Sequence, residues 1–101
     1  MAKRKNILVA RNSFELAEIL DLEQEDAIAM EFRARLNKKI VDLVKKEGLT
    51  HEEVAKRAKA SRTRVTAILN GHTFGISTDF LLRILYSLGC KTNPSFSKIA
   101  A

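Results

Sequence analysis

Apolar positions mark out helices along most of this chain. Ile28, Phe32, Leu36, Ile40, Leu43 and Val44 recur at three- and four-residue spacing. That spacing predicts one long amphipathic helix from about Glu23 to Glu47, with Gly48 as its terminator. Two short helix patterns follow, each with its own start signal. Thr50 with Glu53 forms a capping box, in which the hydroxyl accepts an early backbone N–H and the carboxylate accepts the cap residue's own N–H. Val54, Ala55 and Ala58 then fall on one face, with Glu52, Lys56 and Arg57 outward. Ser61 caps the second pattern, Arg62 to about Leu69. Val65, Ile68 and Leu69 lie on its inner side and Arg62, Thr63, Thr66 and Asn70 on the other, and Asn70-Gly71 ends it.

The flanks carry weaker patterns. Asn12 with Glu15 starts a short helix through Leu20 that buries Phe14, Leu16 or Ala17, and Leu20; Asp21 with Gln24 is a second capping box. Residues 1–11 have little helical pattern, and Ile7 to Val9 is open between a short strand and a segment that orders on a partner. After the short helix pair, Phe74 and Ile76 are expected as core pegs. Ser77 or Thr78 caps a last helix burying Leu81, Leu82, Ile84, Leu85 and Leu88, and Gly89 closes it. The tail holds Pro94, which confines any strand there to an edge. The expected fold is all-α, a compact bundle of about five helices. It divides into an N-terminal arm with a short acidic helix (1–22), a main helical domain (23–90) and a tail (91–101).

Charge sharpens this picture. The 101 residues carry a formal net charge of +6, a balance that attracts polyanions, but the distribution says more than the total. Lys3, Arg4, Lys5 and Arg11 make the start basic. Between Asn12 and Phe32 stand seven acids and no lysine or arginine, whereas from Arg33 onward fourteen basic residues face five acidic ones. The nucleic-acid surface is therefore expected in the second two-thirds, with the acidic stretch turned away from DNA. That stretch reads either as a protein-binding surface or as the solvated face of ordinary helices. The single cysteine, Cys90, cannot form an internal disulfide, so a reducing cytoplasm is expected. The apolar run from Ile7 to Ala10 is too short for a signal core or a membrane span. His51 and His72 lack metal-site spacing, and no nucleophile and base cluster, so neither metal, cofactor nor catalysis is expected.

The pair from Leu49 to Gly71 is the part that suggests chemistry. Ala55 and Ala58 let two helices cross closely after a tight turn, leaving outward a helix rich in Arg and Thr, whose donors suit base edges and phosphates in a major groove. The plainer alternative is a two-helix corner with a solvated basic face. Thr50 to Glu53, Ala55, Ser61, Val65, Ile68, Asn70-Gly71 and the Leu81 to Gly89 helix resemble the helix-turn-helix domains of the phage-repressor (lambda-repressor-like) and Xre class. Within that class, the resemblance is to the branch of HigA-type antitoxins. It covers about half of the chain, from about Leu36 to Gly89.

The resemblance implies a regulator of double-stranded operator DNA, with a toxin protein as a further partner in the antitoxin branch; a homodimer is expected because one recognition helix covers only a few base pairs. A free-standing repressor and an interaction module on the same fold are the alternatives. It also implies site roles. Thr50 and His51 open the positioning helix against phosphate, with His51 replacing a common glutamine. Ser61 caps the recognition helix, and Arg62, Thr63, Thr66 and Ala67 meet base edges. Arg64 lies beside them for phosphate or base, and Lys59, Asn70 and Thr73 are phosphate candidates. Lys59 stands where the class usually places glycine. A left-handed backbone there would cost on the order of 1 kcal/mol.

Overall fold

Side-chain oxygens start three of the helices, and a residue of positive φ follows each of the five. The computed structural model describes residues 13–21 and 23–99; the basic start, Ile7 to Val9 and Asn12 lie outside them. Among the described residues the chain is all-α, with α1 Ser13–Leu20, α2 Gln24–Glu47, α3 His51–Ala58, α4 Arg62–Leu69 and α5 Thr78–Ser87. Thr50 forms the full capping box with Glu53 at the start of α3, Ser61 accepts the Arg64 N–H at 3.2 Å before α4, and Ser77 accepts the Phe80 N–H at 3.1 Å before α5. Each cap satisfies a backbone donor that the first helical turn leaves unpaired.

The ends of α2 to α5 share one device. Past each helix a residue of positive φ turns the chain, and two backbone N–H groups reach back to the last carbonyls. At α4 these are Gly71 to Ile68 at 3.0 Å and His72 to Ala67 at 2.8 Å. The turning residues are Gly48 (φ 65), Gly71 (φ 82) and Gly89 (φ 84), but at α3 it is Lys59, with φ 55.

By its contacts the chain divides into two compact units, residues 1–35 and 36–101, with α2 contributing to both. The second holds the main core. Leu36, Ile40 and Val44 from α2, Val54, Ala55 and Ala58 from α3, and Val65 and Ile68 from α4 meet Phe80, Leu81, Ile84 and Leu85 of α5. Ala55 and Ala58 are buried where α3 packs on its neighbours, as small contact residues should be. Ile76 is buried in the loop before α5.

Three expectations are corrected. Phe74 is no core peg: it is fully solvent-exposed between Thr73 and the positive-φ Gly75, in a loop whose apolar anchor is Ile76 alone. Ile28 and Phe32 keep the helical period, yet both are more than 40% exposed, as is Met30. The buried residue in that part of α2 is Ala27. Asp21 does not cap α2. It adopts φ 56 and its N–H bonds back to Glu18, closing α1, while the Glu23 carbonyl accepts the first α2 bonds from Asp26 and Ala27. In α1, Ala17 is buried as expected; the side chains of Phe14, Leu16 and Leu20 lie outside the description.

Candidate nucleic-acid interface

The outward face of α4 is built by its cap. With Ser61 holding the first turn, Arg62 and Thr63 project into solvent, Thr66 follows one turn later, half-buried, and exposed Asn70 closes the helix. Arg62 and Thr63 each stand three or four residues before Thr66, and Asn70 four after it, so the four share one face. Ala67 is half-buried and packs against the core.

Three contacts from elsewhere in the chain hold α4 in place. At its start Arg64 stacks on the Phe80 ring of α5, with its guanidinium carbon 3.8 Å from the ring centroid. In its middle, Thr66 Oγ1 lies 2.8 Å from His51 Nδ1 of α3. At its end the Asn37 side chain of α2 donates to the Ile68 carbonyl at 2.7 Å. A helix fixed at three points presents its side chains with little reorganisation, which favours specific recognition.

The start of α3 lies beside this face. Thr50 accepts the Glu53 N–H at 3.1 Å, and Glu53 accepts the Thr50 N–H at 2.8 Å. The Glu53 carboxyl is held below its usual 4.5 by the Thr50 backbone N–H first, then the Thr50 hydroxyl and the charge of Arg57. His51 is half-buried and joins α3 to α4 through Thr66. With one ring nitrogen so engaged, only Nε2 is left to face a ligand.

This arrangement fits a known family. A family model described as a helix-turn-helix domain matches residues 19–93. The chain belongs to this helix-turn-helix family. Among curated proteins and among solved structures, none matches the chain. In this chain α3 and α4 are the two short helices joined by a tight turn, and membership places the chain in a DNA-binding class that is typically not enzymatic. No described helix is long and apolar enough to cross a membrane, and no described group of His, Cys, Asp and Glu is arranged to hold a metal.

Of the eleven residues expected from the sequence to form the site, Thr50, His51, Ser61, Arg62, Thr63 and Thr66 gather at the start of α3 and along the outward face of α4. Asn70 stands at the far end of the helix-turn-helix and Thr73 in the loop beyond. Arg64 is committed to Phe80. Lys59 sits in the turn itself and has the left-handed backbone, so the turn is not altered there and the chain carries the strain.

Sequence reasoning missed Arg83. Its guanidinium donates to the Ala58 carbonyl from Nε at 3.1 Å and from Nη2 at 2.9 Å, and to the Lys59 carbonyl at 2.7 Å. A cation on the last carbonyls of α3 opposes the negative end of the helix dipole and secures the turn that aims α4. Asn37 was missed as well. Both act across more than twenty residues of sequence, and no local pattern marks them.

Proposed function

We propose that the chain is a sequence-specific transcriptional regulator of the Xre and phage-repressor class that reads duplex operator DNA with α4. The observation that carries this is an outward face of exposed Arg62 and Thr63 and half-buried Thr66 on a helix tied to α2, α3 and α5. Arg62 is the first base reader, donating two bonds to guanine O6 and N7; Thr63 and Thr66 read neighbouring edges, and Thr50 and His51 bind phosphate. The working form is a homodimer in the cytoplasm, because one recognition helix covers only a few base pairs and operators are commonly read as two half-sites. Residues 23–90 form the DNA-binding part, 1–22 an arm with a short acidic helix, and 91–101 a tail.

Within this class the reading extends to a HigA-type antitoxin that represses its own operon. Its support is the exposed pair Ile28 and Phe32, one turn apart on one face of α2 and flanked there by Glu25 and Glu31, a surface suited to a basic partner protein such as a toxin.

Selection of duplexes from a random pool tests the central part. Wild type should yield a preferred half-site, and Arg62→Ala should weaken binding to it by about 1 to 3 kcal/mol and relax one base position. A pool with no preferred site would overturn the reading. Replacing Ile28 and Phe32 by Ser should leave operator binding intact and abolish capture of the adjacent gene's product. Unchanged capture would remove the antitoxin assignment.

A further inference from the structure

His51 and Thr66 meet at 2.8 Å through two atoms that can each play either hydrogen-bonding role. If the imidazole is neutral with its proton on Nε2, Nδ1 accepts and the Thr66 hydroxyl hydrogen is spent on it. Thr66 Oγ1 then faces outward with lone pairs only, an acceptor for an exocyclic amine of adenine or cytosine. If the imidazole is protonated, Nδ1–H donates to Thr66 Oγ1 and the hydroxyl hydrogen is released. Thr66 can then donate to guanine O6 or N7, or to thymine O4. The other neutral tautomer leaves a bare Nε2, which a phosphate beside it would repel.

Resting on the DNA-reading function proposed above, we infer that His51 sets base specificity without touching a base, by fixing whether Thr66 acts as acceptor or donor in the groove. Proton uptake by His51 thereby exchanges one preferred base for another at a single operator position. It also adds a positive charge at the phosphate contact. His51 is a positioning residue and Thr66 the reader.

The charged groups around the ring are few. Lys45 of α2 lines the same open depression as His51 and Asn70. Arg62 stands one turn before Thr66 on α4, and on α3 itself Glu52 is adjacent while Glu53 is held by the Thr50 N–H. On α5, Arg83 is engaged at the opposite end of α3.

The test is base preference of the full chain at about pH 5.5 and about pH 8, which bracket the range where imidazole changes charge. Each half-site position is varied in turn, at fixed salt. Wild type should change preference at one position by roughly tenfold between the two pH values, with a salt slope about one unit steeper at the lower pH. His51→Gln, which keeps a hydrogen-bonding partner for Thr66 but does not titrate, should bind with one fixed preference. Thr66→Ser should retain the change, and Thr66→Val should lose discrimination at that position at both pH values. A wild-type preference independent of pH, or a change that survives in His51→Gln, overturns the inference while leaving DNA reading intact. No sequence-selective binding at either pH defeats the underlying function instead.

Discussion

Lys59 offers a measurement in which the sign of an effect, more than its size, decides the argument. Replacing it by Gly and by Ala removes the same charge, so the comparison between the two variants isolates the backbone. A non-glycine residue in the left-handed region costs about 1 to 2 kcal/mol. Glycine loses about 0.4 to 1 kcal/mol of this advantage through the greater freedom of the unfolded chain. With φ 55 and ψ 50 at Lys59, Lys59→Gly should therefore exceed Lys59→Ala in stability by about 0.5 to 1 kcal/mol. For a domain of this size that is roughly 3 to 6 °C in Tm.

Inside an ordinary helix the order is opposite, with Ala ahead by roughly 0.5 to 1 kcal/mol. The equivalent glycines show that geometry, not space, is at issue: at Gly48, Gly71 and Gly89 an added Cβ would meet no atom within 4 Å, yet φ is positive at all three. Against wild type the Gly variant gains less, because a lysine near the end of α3 also favours the dipole by about 0.3 to 1 kcal/mol, a contribution that high salt screens. Urea and thermal melts at low and high salt resolve both effects. An Ala variant as stable as the Gly variant, or more so, would refute the left-handed turn and the strain assigned to it.

Three further outcomes are expected. Arg83→Ala should destabilise the fold by about 1 kcal/mol, with Arg83→Lys an incomplete rescue because a single ammonium cannot reproduce the fork over the Ala58 and Lys59 carbonyls; equal stability of all three in denaturant melts would contradict the bracing role. Ile76→Ala should cost about 2 to 4 kcal/mol while Phe74→Ala stays within about 0.5 kcal/mol, since only Ile76 is buried; similar losses at both would place Phe74 back in the core. Glu53, held below its usual 4.5, contributes stability that is complete above that value and is lost as pH falls through the lower folded one. Glu53→Gln should flatten this acid limb in melts across pH, and an unaltered limb would show that the capping carboxylate does not govern it.

The parts of the fold that were legible in the sequence are those decided within a few residues. Thr50 with Glu53, Ser61, Gly48, Gly71 and Gly89 each satisfy backbone groups of their own helix, so helix starts and stops could be read locally. Even the exceptional turn at Lys59 was visible as a missing glycine. Asp21 was misread because Asp both caps helices and tolerates the left-handed region, and the pattern with Gln24 does not say which it will do. Ile28 and Phe32 carry a true helical period, but period alone cannot tell a face buried in its own chain from one left open. Phe74 stands in a loop, where no period exists to place it.

For the site, residue types and spacing identified the outward face of α4. What the sequence could not supply was how that face is held. His51 to Thr66, Asn37 to Ile68 and Arg83 to Ala58 join residues 15, 31 and 25 positions apart. Each depends on how the helices cross, which follows from the packed core and from no local signal.

The most direct test of the central claim is a residue-resolved NMR titration of the full chain with a duplex selected for tight binding. The account predicts that the largest amide perturbations fall at His51, Arg62, Thr63 and Thr66, while Ile28 to Phe32 and the body of α5 remain nearly unmoved. Saturable binding whose perturbations centre on the first half of α2 or on α5, with Arg62 and Thr63 unaffected, would contradict it.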